Sequence, residues 1–144
     1  MAVSIAYPFV LGELRESLSP DRLRVRAMFG SHALYVDEKI VFILRQKRNP
    51  ATVRDNGVWV ALADPAHAGS LSKDFPALRE IEMFKTRGGK GFGGWLNLPE
   101  DGEGFEEAAM SLCRLVLKGD SRIGKVPKPR RKQTVRRTGA STRP

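Results

Sequence analysis

The charge of this chain is divided at Asp120, and the division limits which part of it can fold. The last 24 residues contain nine lysines and arginines and no acid, which leaves 16 bases and 16 acids for residues 1–120. The basic segment has three prolines and only isolated apolar residues, too few to offset an ordering entropy of roughly 1–2 kcal/mol per residue. The sequence therefore predicts a neutral folded body over 1–118 and a basic disordered tail over 119–144. We expect residues from Ser121 onward to add little to stability.

Apolar spacing predicts helices at both ends of the body and strands between them. Residues 8–18 and 105–118 repeat apolar side chains at helical intervals, and Asp64-Pro65 begins a short helix that ends near Leu71. Strands are predicted at 23–29, 32–36, 40–44, 58–63, 79–85 and 94–98. This order favours an α+β domain, a mostly antiparallel sheet of about five to six strands with N-terminal and C-terminal helices packed on it.

Two of these strands have informative patterns. The unbroken apolar run 40–44 predicts a central strand that is covered on both faces. In the first strand, apolar residues alternate with Arg22, Arg24 and Arg26. This period of two predicts one apolar face and one mostly basic face.

Length and cysteine content restrict the class of protein. A chain of 144 residues has a common size for one domain, and its apolar runs are shorter than the ~18 residues that a membrane span needs. Cys113 is the only cysteine, so an intrachain disulfide is excluded. We expect a cytoplasmic protein that does not enter the membrane.

The residues that usually perform catalysis or bind metals are sparse. His32 and His67 are the only histidines, and neither has neighbouring acids or cysteines at metal-ligand spacing. Cys113 falls on the apolar side of the last helix and is interpreted as a core residue. We therefore expect no metal, no cofactor and no enzymatic activity, with Ser31-His32 as the one place to look for catalysis.

A glycine-rich stretch precedes the last predicted strand. Residues 89–94 match G-x-G-x-x-G, but dinucleotide binding needs a helix after this motif, and residues 95–98 are predicted to be a strand. Lys85, Arg87 and Lys90 lie beside Phe92 and Trp95, a composition that can hold phosphates while rings stack on bases. The alternative is a solvated loop with the tryptophan packed on the sheet.

The first hairpin begins with Arg26-Ala-Met28-Phe29-Gly30 and contains Tyr35, and the apolar strand 40–44 and the strand that carries Trp95 follow it. This pattern resembles the N-terminal domain of the TfoX/Sxy family. It implies a stand-alone α+β member over roughly residues 8–118, with these motif residues in structural roles and a basic tail where the family has a helical C-terminal domain. Members of the family regulate natural competence together with the cyclic-AMP receptor protein. The strand pattern is also similar to that of the YjbR-like family.

Two hypotheses of function follow. The first is a non-enzymatic regulatory domain, with a protein partner in transcription as the resemblance implies and with a tail that binds nucleic acid through phosphates. The bases expected to contact phosphate are Lys128, Arg130, Arg131, Lys132, Arg136 and Arg137, with Lys85, Arg87 and Lys90 as a second contact. The second hypothesis is a small-molecule-binding or enzymatic domain with a pocket between Met28–Gly30 and Gly88–Gly94. A tail that serves only to solubilise the chain is the alternative to the first hypothesis.

Overall fold

An antiparallel sheet of five strands organises the part of the chain that the computed structural model describes, which is residues 5–28, 30–82 and 94–126. The spatial order of the strands follows the chain, β1-β2-β3-β4-β5. Their bounds are β1 Leu23–Met28, β2 Ser31–Val36, β3 Lys39–Arg45, β4 Gly57–Ala61 and β5 Trp95–Pro99. The α+β class predicted from the sequence is confirmed.

Three α-helices in the described residues cover one face of this sheet, which we call the helical face. They are α1 Pro8–Ser17, α2 Ala68–Asp74 and α3 Phe105–Leu117, and α2 follows a 3-10 turn at Pro65–His67. Asp64 accepts a hydrogen bond from the backbone N–H of Ala66 at 2.9 Å, as its predicted capping role requires. The core on this face includes fully buried side chains from all three helices and from β2 to β5: Val10, Leu14, Leu34, Phe42, Leu44, Val58, Val60, Leu71, Leu98 and Leu112.

The opposite face of the sheet carries aromatic side chains, and we call it the aromatic face. Its buried cluster contains Tyr35, Ile43, Trp59 and Ile81, and Met28 and Trp95 pack against it. β3 is the central strand and contributes to the clusters on both faces, which confirms the prediction from its unbroken apolar run. Among the described residues, no helix is long and apolar enough to cross a bilayer.

A bulge in β3 distorts the sheet at one end. Leu34 pairs with Phe42 and Tyr35 with Ile40, so the pairing with β2 passes over Val41. An extra residue in one strand turns the following side chains and bends the strand. Val41 and Phe42 both contribute to the core of the helical face as a result, and the β3–β4 pairing ends at Phe42↔Val60.

The chain after α3 fills the gap that opens beyond this pairing. Ile123 bridges Leu62 and Lys125 bridges Ile40, and Ile40 and Lys125 exchange two backbone hydrogen bonds of 2.9 Å. Ile123 is only 4% exposed and belongs to the core of the helical face. The ordered body therefore continues past the boundary expected at residue 118, to Lys125 at least, because a vacant position in the ladder accepts the segment. Residues 127–144 lie outside the described part of the chain.

The sixth predicted strand, at 79–85, takes a different form in its described part. Arg79 makes one isolated antiparallel bridge, with Asn97 of β5. Beyond this bridge, Ile81 packs in the core of the aromatic face, and the backbone N–H of Glu82 donates to the carboxylate of Asp55 at 2.7 Å. Residues 83–85 lie outside the described part.

Replacing Gly57 with alanine is expected to destabilise the sheet strongly. A Cβ there would overlap the carbonyl oxygen of Leu98 and lie 2.6 Å from Asn97 Oδ1, at a φ of +149°. We expect a loss of about 3 kcal/mol or more, since both strain and overlap oppose the change. Chemical denaturation measures it.

The matched control is Gly12, where an added Cβ meets nothing within 4 Å. Gly12 lies inside α1, so alanine should stabilise the protein by about 0.5–1 kcal/mol. Equal effects of the two substitutions would contradict the close packing of β4 against β5.

Candidate nucleic-acid interface

The segment that leads into the basic tail is held to the body by its side chains as well as by its backbone. Arg122 donates two hydrogen bonds to Asp120, at 3.0 and 2.9 Å, and one of 2.9 Å to Asp74 of α2. The hydrogen-bonded Arg122 guanidinium lowers the pKa of the Asp120 carboxyl, and Asp120 in turn raises the pKa of Arg122. The tail therefore starts from a fixed position on the body.

Acidification should weaken this attachment. The pKa of Asp120 in the folded protein lies below its ordinary value of 3.8. The stability that the ionised carboxylate contributes is therefore complete above pH 3.8 and is lost as the pH falls through the lower, folded pKa. We expect Asp120→Asn to reduce the thermal midpoint at pH 7 and the difference from wild type to shrink toward pH 2. Thermal melts from pH 7 to pH 2 test this, and a difference that stays constant would contradict it.

Three cations lie over aromatic rings on the aromatic face or at its border. Arg24 lies 5.1 Å from the centroid of Tyr35, Arg45 lies 5.8 Å from that of Trp59, and the Lys125 ammonium lies 5.4 Å from that of Trp95. Cations at this range are attracted by the negative face of the ring. The tail therefore begins, at Lys125, on the same side of the sheet as the arginines of β1.

Acids and bases are separated in the body although its net charge is zero. Residues 22–54, which form β1 to β3 and the connection to β4, contain eight bases and two acids. Residues 100–107, which lead into α3 and form its first turn, contain five acids and no base. Because α3 packs on the helical face, Glu106 and Glu107 in its first turn are on the other side of the sheet from Arg24. Residues 22–54 are therefore the basic part of the body.

A buried polar cluster under the aromatic face was not predicted from the sequence. Arg45 is 4% exposed and donates to Asn56 Oδ1 and to the carbonyl of Thr52, both at 3.0 Å. Burial lowers the pKa of Arg45, and Asp55 opposes that shift. The Trp59 indole N–H donates to the backbone oxygen of Asp55 at 2.8 Å. These bonds hold the 46–56 connection against β3 and β4, which is a structural role.

The family-motif residues within the described part lie around the first hairpin. Met28 and Tyr35 are on the aromatic face with Trp95, and Arg26 is on the same face as Arg24 because side chains two apart in a strand share a face. Gly30 has a φ of +80° in the connection between β1 and β2. Phe29, Lys85, Arg87, Lys90 and the six tail bases lie outside the described residues.

The candidate catalytic pair does not come together. Ser31 and His32 are neighbours in β2, so their side chains point to opposite faces of the sheet. The strand β5 follows the glycine-rich motif, as the sequence predicts, with Trp95 as its first residue. Among the residues expected to line a small-molecule pocket, Phe29 and residues 88–93 lie outside the described part of the chain. Within the described ranges, no cluster of three or more histidines, cysteines or acids could hold a metal ion.

Cys113 should resist alkylation in the folded protein. Its side chain is fully buried in the core of the helical face, and burial raises the pKa of the thiol to about 12. Because the thiolate is the reactive form, we expect iodoacetamide at pH 8 to react only after denaturant unfolds the chain. A reaction at the unfolded rate without denaturant would contradict the buried placement.

The comparisons with known proteins do not add an identity, since no family model, no curated protein and no solved structure matches this chain.

Proposed function

We propose that this protein is a non-enzymatic domain that binds nucleic acid through its basic tail, which is attached to the sheet by residues 122–125. The proposal rests on the basic composition of residues 127–144, and the insertion of Ile123 and Lys125 into the gap between β3 and β4 fixes where that segment begins. The insertion makes the start of the tail part of the body. Seven bases and no acid follow in residues 127–144.

The charge around the start of the tail is balanced. Val126 is 61% exposed and lines a cavity at the end of the sheet where β1 and β3 begin, together with three bases and three acids: Arg22, Lys39, Lys118, Asp37, Glu38 and Asp120. The excess of positive charge therefore lies in residues 127–144. Phosphate contacts give affinity without reading the sequence, so we propose weak, sequence-indifferent binding. Regulation of transcription with a protein partner, which the TfoX/Sxy resemblance implies, is part of the proposal.

Fluorescence anisotropy with two labelled 20-base-pair duplexes of unrelated sequence tests the proposal. We expect the wild-type chain to bind both duplexes with the same affinity at 50 mM salt. The comparison protein has Lys128, Arg130, Arg131, Lys132, Arg136 and Arg137 replaced by alanine, and it should not bind either duplex. Absence of binding by the wild type at 50 mM salt would refute the proposal, and equal binding by the alanine variant would place the contact on the body.

A further inference from the structure

The outer edge of β1 offers a place for an added strand. Among the described residues, β1 pairs with β2 and with no other strand. The backbone N–H of Asp37 donates to Arg22 O at 2.7 Å, which makes 22 and 37 a hydrogen-bonded pair, and such pairs alternate along an antiparallel ladder. Leu23, Val25 and Ala27 are therefore the residues whose backbone N–H and C=O groups point away from β2.

A cavity of about 350 Å³ lies beside this edge on the helical face. It is lined by Leu18, Pro20, Leu23 and Val25, with Arg15 as its charged member. Leu23 and Val25 are half-buried against the core of that face. The cavity has room for one apolar side chain from a strand that pairs with β1.

The aromatic face of the same edge is basic. Arg24 and Arg26 are both exposed and lie on that face. Side chains directly opposite each other in an antiparallel pair lie about 4.5–5.5 Å apart at Cβ, and opposite charges there stabilise the pairing. A strand added to β1 would therefore place its alternate side chains beside these two arginines.

From these three features we propose that the edge of β1 binds an extended segment of a partner protein whose residues alternate between apolar and acidic. The backbone pairs with Leu23, Val25 and Ala27, an apolar side chain enters the cavity, and acids face Arg24 and Arg26. This is strand addition, in which backbone bonds give affinity and alternate side chains give specificity. Pairing of β1 with a second copy of itself is disfavoured, because it would bring like-charged arginines together.

The proposal does not depend on nucleic-acid binding, and the test separates the two. The probe is a labelled nine-residue peptide of alternating valine and glutamate, and its control has lysine in place of glutamate. All proteins are full-length and carry the six alanine substitutions in the tail, which removes attraction between the tail and the acidic peptide. We expect this parent protein to bind the glutamate peptide although it does not bind duplex.

Two variants of that parent identify the edge. Arg24→Glu/Arg26→Glu should weaken binding of the glutamate peptide at least about tenfold and gain binding of the lysine peptide. Ala27→Pro keeps both arginines and removes one backbone N–H that points away from β2. Proline is tolerated on an edge strand, so this variant should fold, and it should not bind the peptide. If the proline variant does not fold, amide exchange in the parent protein decides, because the peptide should protect the N–H groups of Leu23, Val25 and Ala27.

Three results would overturn the proposal. These are no binding by the parent protein, binding that is unchanged in the arginine variant, and bound peptide without protection of the outward amides of β1. Peptide binding that appears only with the basic residues of the tail restored would show that the tail, and not the edge, attracts the acids.

Discussion

Truncation after Asp120 is expected to lower the thermal midpoint of this protein by roughly 10 °C, whereas truncation after Val126 should leave it unchanged. The shorter chain loses Ile123, whose burial is worth about 2 kcal/mol. It also loses four backbone hydrogen bonds of 2.9 Å between residues 122–125 and the body, and it exposes the ends of β3 and β4. After the cost of ordering the segment, we estimate a net loss of about 2–4 kcal/mol, which corresponds to the stated change in midpoint.

Calorimetry on the two truncated chains and on wild type measures this difference. A third protein, full-length Ile123→Ala, separates the side chain from the backbone and should lose about 2 kcal/mol or more. Equal midpoints for the two truncated chains would mean that residues 121–126 do not stabilise the body. The tail would then begin near residue 119, as the sequence alone suggests.

The second large effect concerns the salt dependence of duplex binding. Each phosphate that is neutralised contributes about 0.9 to the magnitude of the slope of log affinity against log salt. If about half of the six tail bases are engaged at once, the slope is about −2.7, close to −3, and affinity falls roughly 40-fold between 50 and 200 mM salt. Replacing all six bases by alanine should flatten the slope and abolish binding at physiological salt.

A comparison of two triple variants with matched charge locates the contact. Arg130, Arg131 and Lys132 belong to the tail, and Lys85, Arg87 and Lys90 belong to the glycine-rich loop. Alanine at the three tail positions should reduce the slope by about half, and alanine at the three loop positions should change it less. A larger effect of the loop variant would make the glycine-rich loop the main contact.

The features predicted correctly depend on local patterns. The helices at both ends and the strands around them have clear apolar periods, and the run 40–44 needs apolar cover on both faces wherever the strand is placed. The Asp64-Pro65 cap is also local, because the bond from Ala66 N–H is formed within two residues. Patterns of this kind establish an α+β sheet before the structure is known.

The attachment of the tail could not be predicted in the same way. Ile123 is a lone apolar residue between an arginine and a glycine, and its site lies beyond Phe42↔Val60, where the β3–β4 ladder has ended next to the bulge at Val41. The partners Ile40 and Leu62 are distant in sequence. One local signal was present in the sequence. Asp120 accepts a hydrogen bond from the backbone N–H of Arg122 at 2.9 Å, which is the turn that an aspartate commonly forms with the residue two positions later.

The buried polar cluster is a second feature that local patterns do not reveal. Arg45 follows a run of apolar residues and looks like the exposed end of a strand, but the 46–56 connection folds back and supplies Asn56 as an acceptor. Asp55 looks like a turn residue, and its carboxylate instead accepts the N–H of Glu82. Both bonds join residues whose proximity depends on the whole sheet.

We propose that the tail binds nucleic acid and that the body serves as its anchor. The most direct measurement is duplex binding by the chain truncated after Val126, which keeps Ile123 and Lys125 in the sheet and lacks the seven bases of residues 127–144. We expect this chain to melt at the temperature of wild type and to show no binding by anisotropy at 150 mM salt, where the full chain binds weakly. Binding by the truncated chain with the affinity and salt slope of wild type would contradict the account and place the interface on the body.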